Sequence, residues 1–167
     1  MSLDRLWNGW RSGYVRGFNN GQRSEPGRSV FTGILESGMS DEEAHIVHRS
    51  ATCFVILNAF PYSTGHMLVL PYREFADLEQ MTQEESADLW STVTAAVAAV
   101  KRSHEPHALN VGINLGASAG GSIAQHLHVH VVPRWEGDAN FMTAVANTRT
   151  LPEPLDETAA RIRAAWK

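Results

Sequence analysis

Apolar and polar positions follow two different rhythms along this chain. From Thr52 to Ala59 the residues are almost all apolar, the mark of a strand buried on both faces. A turn over Asn58 to Gly65 leads to a second apolar run, His66 to Leu70, stopped by Pro71. Two β-rich runs joined so closely predict an antiparallel hairpin, and Ile46-Val47 adds a short strand before it. The rhythm then lengthens to the helical period: Leu89, Val93, Val97 and Val100 keep one face apolar. Thr82 with Glu85 three residues on is a capping-box start, and Pro106 sets the helix end near Ser103. Ala108 to Leu115 and His126 to Val132 return to strand patterning on either side of a glycine-rich loop. At the front, Leu3, Leu6, Trp7, Trp10, Tyr14 and Phe18 recur at helical spacing, and Asn19 to Gly27 reads as a polar linker. After Asp138 a loop precedes a short helix over Asp156 to Trp166. The order predicts an α+β fold, an antiparallel sheet with one long helix packed on it. An N-terminal helix and linker occupy 1–29, the main body 30–140, and a C-terminal extension 141–167.

Composition narrows this picture. A chain of 167 residues with 43% apolar content forms one domain with its own core. Fourteen Lys and Arg against 18 Asp and Glu give a net charge of −4, which argues against bulk nucleic-acid binding. The single cysteine, Cys53, excludes an internal disulfide and a Cys-x-x-Cys metal knuckle. It lies inside the apolar run Cys53 to Leu57 and reads as a buried, inert thiol. Without a basic-then-apolar leader or a long apolar span, a soluble cytoplasmic protein that does not engage membranes is expected.

The chemistry concentrates in His126-Leu127-His128-Val129-His130-Val131-Val132. Side chains of a strand alternate faces, so all three histidines share one face while Leu127, Val129 and Val131 take the other. Three readings apply. A His-x-His pair can ligate zinc, yet three residues spaced ~6.6 Å apart, with the outer pair ~13 Å apart, converge poorly on one ion. One imidazole can act as nucleophile while its neighbours position an electrophile. Or the three are structural, satisfied by backbone groups.

The adjacent loop, Gly116-Ala117-Ser118-Ala119-Gly120-Gly121-Ser122, offers successive backbone N–H groups that can cradle an anion. It is not a Walker loop, since no Gly-Lys-Ser/Thr follows. Gly116 to Gly120 also matches the G-x-S-x-G elbow of serine hydrolases. That fold needs an acidic residue and then a histidine after the serine, and here no acidic residue separates Ser118 from His130 and no histidine follows His130.

These residues resemble the histidine-triad (HIT) nucleotide-binding family, whose signature alternates histidine with apolar residues as His126 to Val132 does. The similarity spans roughly Phe31 to Arg134, so the main body 30–140 is identified as a HIT domain. The resemblance implies that Asn58 holds a ribose, that His66 lies near the phosphates, and that Asn114, Gly120, Gly121 and Ser122 contact them. It also implies that Phe31, Ile34 and Ile56 wall a base pocket. Two departures stand out. One more residue separates Ser122 from His126 than in the commonest members. A structural zinc site of some bacterial members falls on Ser29, Thr32 and Glu74, which do not form such a site, and no metal is expected. The flank Val132 to Phe141 and the Trp-rich N-terminal segment are similar to the actinobacterial diadenosine tetraphosphate phosphorylase type.

The implied activity is cleavage of dinucleoside polyphosphates through a covalent His-AMP formed on His128, with His126 and His130 stabilising developing charge or, if protonated, acting as general acid. The middle imidazole should be neutral, its second nitrogen tied to a backbone carbonyl. Inorganic phosphate as acceptor gives ADP and ATP; water gives a hydrolase. Hydrolysis of adenylylated phosphoramidates, asymmetric dinucleotide hydrolysis and a non-catalytic nucleotide module are the alternatives. No cofactor is required, with magnesium entering only as a counterion of the polyphosphate. A homodimer or higher homo-oligomer is expected.

Overall fold

The computed structural model describes residues 28–119, 123–138 and 152–167. The expected N-terminal helix and linker over 1–27, the loop residues Gly120, Gly121 and Ser122, and the stretch 139–151 lie outside the described residues. Two short helices, α1 (Val30–Glu36) and α2 (Asp41–Ala44), precede strand β1 (Ile46–Arg49) and the hairpin β2 (Cys53–Leu57) and β3 (Met67–Pro71). A single 3-10 turn leads to the long helix α3 (Gln83–His104), then β4 (Ala108–Ile113), β5 (Val129–Arg134) and α4 (Leu155–Ala165). The strands form one five-stranded antiparallel sheet in the order β1-β2-β3-β5-β4.

The last strand starts later than its pattern predicts. It spans Val129 to Arg134, so only His130 of the three histidines sits on the ladder. Pro71, which pairs with Cys53 at the end of β3, has no N–H to offer a further partner. Its carbonyl accepts instead from His126 Nε2 at 2.8 Å, while the Leu127 N–H donates to the Phe75 carbonyl at 2.7 Å. The backbone over 126–128 therefore bonds to a loop and a ring rather than to a strand. The alternation of faces survives, because Leu127, Val129 and Val131 all enter the core under the sheet.

That core lies between the sheet and two helices, not the one expected. Cys53, Val55, Leu57, Met67 and Val69 face Leu89, Val93, Ala96 and Val100 of α3, and Leu155, Ala159 and Ile162 of α4 join the same cluster. The tail helix read from sequence as an extension thus shares the central core. Burying each such side chain contributes roughly 1.5–3 kcal/mol. The Thr82–Glu85 capping box forms as expected, and Arg73 paired with Glu85 holds that carboxyl down at about 2. Cys53 is fully buried, which pushes its thiol up to about 11.

The other face of the sheet carries a smaller cluster: Phe31 and Ile34 of α1 over Phe54, Ile56, Leu68 and Leu70. One row across this face runs Ile56, Leu68, His130, Gly112. The histidines therefore stand on the sheet face that α1 only half covers. Among the described residues no helix is long and apolar enough to cross a membrane.

Candidate active site

The β2–β3 turn positions the first polar groups. The Phe60 N–H donates to Asn58 Oδ1 at 2.9 Å, which turns the Asn58 amide nitrogen toward His66 Nδ1, 3.3 Å away. The Tyr62 N–H donates to the same Nδ1 at 3.0 Å. Two donors on one nitrogen fix His66 as the neutral tautomer with its proton on Nε2. That proton is donated to His130 Nδ1 at 2.9 Å. His130 must then carry its own proton on Nε2, 3.4 Å from the Asn114 amide nitrogen, so that two N–H donors stand side by side there. A directional chain results, running from the turn's backbone through two rings to the Nε2–H of His130.

Electrostatics agree with it. His66 is 1% exposed, and burial, followed by repulsion from His130 and His128, lowers its pKa to about 3. Burial, then the neighbouring His128, brings His130 down to about 4. His126 is lowered mainly by burial, partly opposed by its bond to the Pro71 carbonyl and the charge of Glu74. Burial thus favours the uncharged form of each of these rings. What remains on His130 is a neutral N–H donor.

His128 is set differently. Its Nδ1–H donates to the His126 carbonyl at 2.8 Å, the backbone tie expected of it, and this leaves Nε2 with its lone pair. The ring is 7% exposed, packed 4.9 Å from His130 and 5.8 Å from the Phe31 ring. Phe31 also meets His126 edge-on at 5.7 Å. Buried His126 Nδ1 has no hydrogen-bond partner among the described residues.

The structure thus brings together His126, His128, His130, His66, Asn58, Asn114 and Phe31. Ile34 and Ile56 lie in the apolar cluster beneath α1. Two contributors were not legible beforehand. Tyr62 lies nearly parallel to His130, ring centroids 5.9 Å apart, and 4.6 Å from His66, although its turn reads only as a connection. Glu74 accepts from the Ser29 N–H at 2.9 and 3.0 Å and from the Thr32 hydroxyl at 2.6 Å. This carboxylate clasp pins the start of α1, and with it Phe31, beside the histidines. Its negative charge at a helix N-terminus is itself favourable.

An imidazole tied to the backbone through Nδ1 and flanked by neutral donors, on a half-covered sheet face, defines a histidine-triad enzyme. The HIT domain family model matches residues 40–137, and the chain belongs to that family. It is 41% identical over 169 residues to the AP-4-A phosphorylase of Mycobacterium tuberculosis, covering 98% of this chain and 85% of that protein. Similarity to the asymmetrical bis(5′-nucleosyl)-tetraphosphatase of Schizosaccharomyces pombe is 30% over 95 residues, 57% of this chain and 52% of that one. Among solved structures, a zinc-bound histidine triad family protein from Mycobacterium smegmatis superposes with TM-score 0.66 at 28% identity, covering 82% and 91% of the two chains.

Proposed function

We propose that this chain cleaves diadenosine tetraphosphate by phosphorolysis, through a covalent adenylate on His128. The observation that carries the reading is the tie between His128 Nδ1 and the His126 carbonyl, which makes Nε2 the lone-pair nitrogen of the neutral ring and so the one placed to attack. In the first step Nε2 bonds to the α-phosphorus of one adenosine while the bond to the bridging oxygen breaks, releasing ATP. In the second, an oxygen of inorganic phosphate bonds to that phosphorus, the P–N bond breaks, and ADP leaves. The His130 Nε2–H and Asn114 donate to the non-bridging oxygens as charge builds there, joined by Gly120, Gly121 and Ser122. Asn58 holds the ribose, and Phe31, Ile34 and Ile56 contact the base. His66 orients His130 through the shared hydrogen bond.

Similarity to the mycobacterial phosphorylase over nearly the whole chain supports phosphate, rather than water, as the acceptor. No step calls for a metal, and magnesium serves as counterion to the polyphosphate. The exposed edge strand β4 suits pairing of two copies across a two-fold axis.

The deciding measurement is product analysis of diadenosine tetraphosphate with and without phosphate, in chelator. ADP plus ATP, formed only with phosphate, is the expected result. ATP plus AMP without phosphate would make the chain a hydrolase instead. An absence of cleavage under both conditions would refute the catalytic reading.

A further inference from the structure

A cavity of about 550 Å³ opens on the far side of His130 from the Phe31–Ile34–Ile56 cluster, within the ~300–1,000 Å³ usual for ligand sites. Its lining includes Tyr62, Asn110, Gly112, Asn114, His130 and Arg134. The cross-sheet row explains its position. Ile56, Leu68, His130 and Gly112 lie on successive strands, so Ile56 and Gly112 stand ~14 Å apart with the histidine between them. Gly112 is the one residue in that row without a side chain, and a Cβ built on it meets nothing within 4 Å. Nothing in its backbone requires glycine, since its φ is not positive. The missing side chain leaves space.

The chemistry of the walls is specific. Tyr62 offers an aromatic ring lying nearly parallel to His130. Asn110 spends its carbonyl oxygen on Arg134 at 3.0 Å, which leaves its amide N–H groups as donors. Arg134 is held by Asp138 at 2.5 and 2.9 Å, so its charge is largely neutralised. An aromatic ring, an amide donor and a nearly neutral rim suit a planar nucleobase and its ribose better than a bare phosphate chain.

We infer that this cavity is the subsite for the departing half of the substrate, a purine nucleoside 5′-polyphosphate, with Gly112 as its floor. The inference rests on the adenylate-transfer reading above, in which the first nucleoside lies under α1. Whatever leaves the α-phosphorus at the histidine row then has the β4 side open to it. The site would distinguish dinucleotides from adenylates with small leaving groups.

The test compares kcat/KM of the full chain for diadenosine tetraphosphate and for adenosine 5′-phosphoramidate, whose leaving group is only ammonia. Gly112→Leu fills the floor with a side chain that a strand accommodates, and Gly112→Ala gives a graded control. The ratio of the two kcat/KM values, dinucleotide over phosphoramidate, is expected to fall by about tenfold or more in Gly112→Leu and by less in Gly112→Ala. An unchanged ratio, whether both activities persist or both fall together, overturns the subsite. If the unsubstituted chain cleaves neither substrate, the adenylate-transfer reading itself fails, and the subsite with it. Cleavage of the phosphoramidate alone by the unsubstituted chain would overturn the subsite while leaving adenylate transfer standing.

Discussion

Acidifying the protein from pH 7 to pH 5 should destabilise it through the paired rings of His66 and His130. In the unfolded chain both titrate near the ordinary histidine value of ~6.5. In the folded chain His66 stays neutral down to about 3 and His130 to about 4. Between these values the unfolded state binds protons that the native state refuses, so stability is full above ~6.5 and falls as the pH drops toward 4. Each pKa unit is worth ~1.4 kcal/mol, and at pH 5 the unfolded state has gained about 1.5 units per ring. The enclosed His66 therefore accounts for about 2 kcal/mol, and His130, more open to solvent, for roughly half that. Urea unfolding at pH 7 and pH 5 measures the loss in the native chain and in His66→Gln. The static cost of the substitution cancels, because only the change with pH is compared. His48, His104 and His126, also shifted downward, contribute equally to both proteins. His130, held down by burial and by His128, titrates alike in both proteins, so the native chain should lose about 2 kcal/mol more than the variant. Equal losses would refute the neutral-pair assignment and the donor chain built on it.

Three further outcomes follow from the same geometry. His128→Ala should lower turnover of diadenosine tetraphosphate by at least about 10³-fold while AMP binding, read by calorimetry, persists. Glu74→Gln puts an amide donor against the Ser29 N–H, and should destabilise the fold by about 1–3 kcal/mol. Because the clasp sets Phe31, KM for the dinucleotide should rise more than kcat falls. Gly65→Ala combines a positive φ of 78° with a Cβ only 3.2 Å from Val100 Cγ2 and 3.3 Å from Pro133 Cγ. A cost of about 2 kcal/mol or more is expected, lowering Tm by roughly 4–8 °C in a thermal melt.

The sheet, the long helix and its capping box were legible because each is written in local periodicity. The alternation at His126 to Val132 likewise gave the shared face directly. Its strand boundary did not follow, since the ladder stops where Pro71 runs out of donors on a different strand. No local pattern around His126 carries that information. The protonation states were hidden for a similar reason: they depend on a turn amide, that of Tyr62, meeting a ring four residues away and passing order to a third strand. Glu74 could be assigned a position by resemblance, but its bonds to Ser29 and Thr32 span more than forty residues. Long-range hydrogen bonding, rather than hydrophobic pattern, separates what could be read from what had to be seen.

The C-terminal helix also sets a timetable for synthesis. Arg163 donates to the Ile46 carbonyl at 3.0 and 2.8 Å and to the Asp41 carbonyl at 2.8 Å, partners 117 and 122 positions earlier in the chain. A ribosome adding ~5–20 residues per second needs roughly 6–25 s to span that distance. Through that interval the β1 carbonyl lacks its guanidinium, and the core lacks Leu155, Ala159 and Ile162. The sheet can therefore pair during translation, but its outer edge stays unsealed until the last turns emerge. In a crowded polysome this is the period when a neighbouring nascent strand has its best chance of adding to β1, and slower elongation over the final helix would lengthen it.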